Sequence, residues 1–100
     1  MNCDFCSDHN VHLGWSYPCQ DFDASVLALD NSAGLLPMSF TQHFEGAWLA
    51  CIPCAQYIEK KDWRGLAKKL AVMDILVEPR VLLWEQFDTL RTGPKEVFVG

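Results

Sequence analysis

Apolar and polar positions change their rhythm twice along this chain, and the changes mark out its elements. Val11, Leu13, Trp15 and Tyr17 alternate with His12, Gly14 and Ser16, the period of two expected of a half-buried strand, and Pro18 ends the run. Ala24 to Leu29 reads equally as a short strand or a single helical turn. DNSAGLLP at 30–37 is a loop signal, with Asn, Ser, Gly and Pro clustered. Phe40 to Phe44 and Gly46 to Ala50 read as the two arms of a hairpin. From Pro53 the period lengthens: Ala55, Ile58, Leu66, Ala67, Leu70, Ala71 and Ile75 recur at spacings of three and four. With Asp62 as an N-cap, this predicts a short helix near 53–60 and a longer one near 63–76. Glu78-Pro79 predicts the start of a third helix, because proline is tolerated in the first turn. Its buried face would be Val81, Trp84, Phe87 and Leu90, and Thr92-Gly93-Pro94 would stop it. The tail KEVFVG would add an edge strand or pack on the helices.

These elements amount to an α+β domain of 100 residues, half of them apolar, a size at which one core forms but a cross-link helps most. The helix after the second cysteine pair places one boundary near residue 60, so the expectation is a single domain with a cysteine-bearing part at 1–60, a helical extension at 61–92 and a tail at 93–100. The net charge of −5 argues against a generic nucleic-acid coat, whose affinity comes from Lys and Arg. No run approaches the roughly 18–20 apolar residues that cross a bilayer, and the acidic, polar start MNCDFCSDHN does not read as a signal peptide. A cytoplasmic protein is therefore expected, in a compartment where paired cysteines are metal ligands or redox groups rather than structural disulfides.

The five cysteines sharpen that choice. Cys3 and Cys6 form one C-x2-C pair, Cys51 and Cys54 a second, and Cys19 stands alone. Two such pairs supply four sulfurs for one tetrahedral Zn²⁺. The second pair falls at a helix start, where free N–H groups and the helix dipole favour thiolate. A knuckle, hairpins, and two ligands on a first helical turn make a treble-clef-like layout. The long stretch between Cys6 and Cys51 implies inserted hairpins. The competing reading, a catalytic dithiol at Cys51-Ile52-Pro53-Cys54, lacks the alternating strand–helix units that frame such sites. Cys19 is expected to be a small core residue. His9 and His12 could ligate in place of a cysteine or bond near the metal, while His43 reads as a solvated loop histidine. His43-x-Glu45 is too close to Cys51 for a zinc-deaminase signature, and the chain has no phosphate loop or nucleophile elbow.

The strings CDFCSD, WSYPCQDF and GAWLACIPCAQYIEKKDWRGLAKK together resemble a group of small four-cysteine proteins, treble-clef or zinc-ribbon-like, of actinobacteria and their phages. The likeness covers about the first 70 residues. It implies a zinc-binding domain and no particular activity; Cys19 stands where alanine would be expected.

Two surface features complete the reading. Residues 59–80 hold six basic and four acidic groups, and Lys60, Arg64 and Lys68 recur every four positions as one basic stripe. This is read first as a solvated helix face and second as a contact for phosphates or an acidic surface. Of the four tryptophans, Trp63 and Trp84 are the candidates for exposed anchors of a protein partner. The expected function is a non-enzymatic, zinc-stabilised module that binds a protein partner, a phage product engaging a host protein being one form of it. A homodimer through the C-terminal helix is a variant. The alternative is a nucleic-acid-binding module using Lys60, Arg64 and Lys68.

Overall fold

The computed structural model describes residues 1–6, 8, 10–30 and 36–100, with backbone alone for 27–30 and 36–39. Strand β1 (Leu13–Tyr17) realises the first alternating run. It is the centre of a three-stranded antiparallel sheet, flanked by β4 (Trp48–Cys51) and β5 (Glu96–Val99) in the order β4-β1-β5. Tyr17 pairs with Trp48 and Gly14 with Cys51 on one side; Leu13 pairs with Val99 and Trp15 with Val97 on the other. Gly14 is required by this pairing, since a Cβ there would run into the Ala50 carbonyl oxygen. The tail is thus an edge strand.

Between β1 and β4 the chain forms a separate ribbon of β2 (Phe22–Asp30) and β3 (Leu36–Phe44), antiparallel along their full lengths. The ambiguous segment at 24–29 is therefore strand, and the expected hairpin of 40–44 with 46–50 does not form. Those two runs belong to different sheets, separated by a turn in which Gly46 takes φ +64° and donates its N–H to Asp21 Oδ1 at 2.7 Å. The predicted loop at 30–37 shrinks: Asp30 and Leu36 are strand partners, and 31–35 lie outside the described residues.

β4 runs directly into helix α1 (Ile52–Glu59). Helix α2 (Trp63–Lys69) follows, with Asp62 as the predicted N-cap accepting from the Gly65 N–H at 3.0 Å. The longer helix expected at 63–76 breaks at residue 70. Ala71 adopts φ +54°, and the Val72 N–H returns to the Ala67 carbonyl at 3.0 Å, a left-handed helix stop that glycine normally makes. Helix α3 (Asp74–Thr89) then starts four residues before the expected Glu78, with Pro79 inside it. Pro79 supplies no N–H for the Ile75 carbonyl, yet the helix continues, because Val81, Trp84 and Phe87 beyond it are buried.

The core joins the cysteine-bearing part to the helices. Phe5 lies 5.5 Å, centroid to centroid, from both Trp48 and Phe87, and 6.3 Å from Trp84. Phe22, Phe44 and Trp48 stack at 5.1–6.0 Å. Burial of one such ring contributes about 2–3 kcal/mol. Among the described residues no helix is long and apolar enough to cross a membrane.

Candidate metal centre

The Sγ atoms of Cys3, Cys6, Cys51 and Cys54 all lie within 4.8 Å of one another, and all five cysteines are free thiols. Residues 3–6 make a tight turn. The Cys3 N–H bonds the Asp8 carbonyl at 2.9 Å, while the N–H groups of Phe5 and Cys6 point at Cys3 Sγ at 3.4 and 3.5 Å. Cys51 is the N-cap of α1 and Cys54 lies in its first turn, so the second pair sits at the positive end of a helix. Pro53 costs nothing there, since the first N–H groups of a helix have no internal partner.

Asp4 docks the two halves. Its N–H bonds the Leu49 carbonyl at 2.8 Å, its Oδ2 accepts from the Leu49 N–H at 2.7 Å, and the Cys51 N–H reaches Cys3 Sγ at 3.4 Å. This clamp brings Cys6 Sγ to 3.6 Å from Cys51 Sγ. Neither Asp4 nor Phe5 stood out in the sequence. Their only signal was their place between two ligand cysteines.

The donor set fits a metal ion. Four thiolates about 2.3 Å from a tetrahedral centre would stand about 3.8 Å apart, close to the separations here. Cys54 is fully buried and Cys3 nearly so, whereas Cys6 and Cys51 are partly exposed. The thiol ionisations are spread widely. Hydrogen bonding from Cys54 holds the Cys3 thiol down at about 4, helped by the N–H groups of Cys6, Cys51 and Phe5. Burial pushes Cys51 up to about 11. Cys54 is also pushed up, first by its hydrogen bond to Cys3 and then by burial. A metal takes cysteine as thiolate, so a cation held by all four sulfurs displaces the protons of those that are thiols.

Other expected site residues are placed differently. Cys19 is buried, its S–H directed at the Phe87 carbonyl at 3.7 Å, which is the core role expected of it. His12 is exposed and not part of the sulfur cluster; His9 lies outside the described residues. His43 is on β3 rather than in a loop, its Nδ1 2.6 Å from Asp23 Oδ1 and its Nε2 3.4 Å from Glu45 Oε1.

Trp63 and Trp84 are not exposed anchors. They are 7% and 1% exposed and pack 6.4 Å apart, because α2 and α3 face each other across them. The basic stripe is interrupted as well. Lys60 caps α1, Lys61 turns with φ +53°, and Arg64 and Lys68 belong to α2, so the regular spacing spans two helices. Arg64 is engaged by both carboxylate oxygens of Glu78, and Lys61 by Asp88 at 2.8 Å. The apolar side chains that do reach solvent around α3 are Met73, Ile75 and Leu82, at 54%, 52% and 64% exposure.

No protein-family model, no curated protein and no solved structure matches this chain.

Proposed function

We propose that this chain is a zinc-stabilised, non-catalytic binding module whose partner is a protein. The observation that carries this reading is the closed donor set. Four cysteine sulfurs converge within 4.8 Å, which would fill a tetrahedral ion's coordination and leave no position for water or substrate. Zn²⁺ suits four thiolates without redox chemistry, and its role would be to tie residues 3–6 to the β4–α1 junction. The turn at Cys3–Cys6, the β1–β4 pair and the ligands at the head of α1 support a treble-clef arrangement with the β2–β3 ribbon inserted. Free thiols throughout are in keeping with a reducing compartment, the cytoplasm.

A protein partner is favoured over nucleic acid for two reasons. The chain is acidic overall, and two of the cations in its basic segment are already neutralised by Glu78 and Asp88. The first test is a native mass spectrum. One zinc per chain, lost on acid denaturation with five thiols then free, is the expected result; a disulfide without metal would refute the centre. For the partner class, labelled mixed-sequence DNA and RNA at low salt should show no binding. A shift that weakens steeply with salt and disappears on Lys60→Glu with Lys68→Glu would replace the protein-binding reading by the nucleic-acid one.

A further inference from the structure

A cavity of about 330 Å³ opens beside the metal centre. Cys6 forms one wall, Leu70, Val72 and Met73 of the α2–α3 connection form another, and Leu76 and Arg80 of α3 close it. Three features single it out. Apart from Arg80 its lining side chains carry no charge, with Phe5, Leu70, Val72, Met73 and Leu76 the large apolar ones, and Met73, at the connection, is 54% exposed. Arg80 is partly buried at its edge. Of the three arginines, Arg64 is paired with Glu78 and Arg91 with Asp88, but among the described residues no carboxylate pairs with Arg80. Lys68 and Lys69, in the last turn of α2 next to Leu70, are exposed. Asp74 is the one acidic residue between Lys69 and Val77.

We infer that this cavity is the partner site, and that it takes an acidic peptide segment of another protein, seating an aliphatic or aromatic side chain against Leu70, Val72 and Leu76 while a neighbouring carboxylate pairs with Arg80. The inference rests on the protein-binding reading above and gives it a site and a chemistry. A partly buried guanidinium with no counter-charge among the described residues gains from a carboxylate delivered to it, since Arg binds that group through two parallel N–H donors. The side chains of Leu70, Val72 and Leu76 offer contacts that an apolar peptide side chain can use and a phosphate backbone cannot, which favours peptide over nucleic acid. Because Cys6 is both wall and candidate ligand, the cavity's shape depends on the metal centre being formed.

The test is selection of displayed random 12-residue peptides on the full-length chain purified with zinc, followed by affinity measurement on synthetic copies of the enriched peptides. Enriched sequences should carry Asp or Glu next to a large apolar residue. Their binding should weaken roughly tenfold or more in Arg80→Glu, and it should disappear with chelator. In amide NMR spectra the shifts should centre on residues 70–80. Met73→Glu, at an exposed position, provides a second variant that should weaken the same peptides without disturbing the fold, with zinc stoichiometry as the folding control for both. Peptides that bind both variants as tightly as the parent, or that shift amides elsewhere, would overturn this site and leave the protein-binding reading standing. Enrichment of no peptide, with low-salt nucleic-acid binding, would overturn both. Self-association that blocks the cavity would assign it to a second copy and overturn the acidic-peptide occupant.

Discussion

Cys3 and Cys19 are both nearly inaccessible, yet their surroundings assign them opposite roles. Cys3 Sγ receives N–H groups from Phe5, Cys6 and Cys51, a setting for a thiolate; Cys19, its pKa raised by burial, stays a thiol and donates its S–H to the Phe87 carbonyl. Cys3→Ser should therefore abolish metal binding at the four-sulfur cluster and, for a chain whose fold depends on that metal, cost several kcal/mol, enough to unfold a domain of this size. Cys19→Ala should leave the metal stoichiometry of the parent unchanged and cost about 1–2 kcal/mol, as read by native mass spectra and denaturant titration. His43 shows how a residue's neighbours outweigh its exposure. The hydrogen bond that His43 Nδ1 donates to Asp23 raises its pKa above the ordinary 6.5. The contribution of this contact to stability is complete below that ordinary value and is lost as pH rises through the higher folded value. Asp23→Asn should bring the His43 titration, followed by NMR, back toward 6.5 and remove that dependence. The four clustered cysteines were legible because C-x2-C spacing is itself the chemistry of a turn. The Asp4 clamp was not, since its partner Leu49 is distant in sequence.

At the scale of elements, the strands and helix faces followed their periodicities where neighbours agreed with them, and the boundaries did not. β1 and the Val81, Trp84 and Phe87 face of α3 lie where the pattern put them. The α2–α3 boundary does not, because Ala71 is a strong helix former held in the left-handed region, a choice made by packing against propensity. An L-residue pays about 1–2 kcal/mol for that conformation, and glycine recovers part of it at an entropic cost of roughly 0.5–1 kcal/mol. Ala71→Gly should accordingly stabilise the protein by a few tenths to about 1 kcal/mol in urea unfolding. The same substitution at an ordinary interior position of α3, such as Glu85, should destabilise it.

Across the whole molecule, the cysteine turn is joined to the core at two points, through Phe5 among Trp48, Trp84 and Phe87 and through Asp4 on β4. Removing a bound metal should therefore disturb more than the first six residues. With chelator, tryptophan fluorescence should change as Phe5 leaves Trp48 and Trp84, and the thermal midpoint should fall by more than about 10 °C, several kcal/mol at this chain length. Acidification should release the metal in the same way, because protons compete for the thiolates. Unchanged fluorescence and midpoint after metal loss would mean that the aromatic core holds the turn unaided. The sequence by itself determined the α+β class, a strand within 11–17, the helical run after Pro53 and the two sulfur pairs, all of them set by local spacing and turn chemistry. Only the tertiary structure decided that β1 lies between β4 and β5, that β2 and β3 pair as their own ribbon, that Trp63 and Trp84 are interior, and that Arg80 has no carboxylate partner among the described residues. Those outcomes depend on which distant faces exclude water together, a sum over the whole chain that no local window contains.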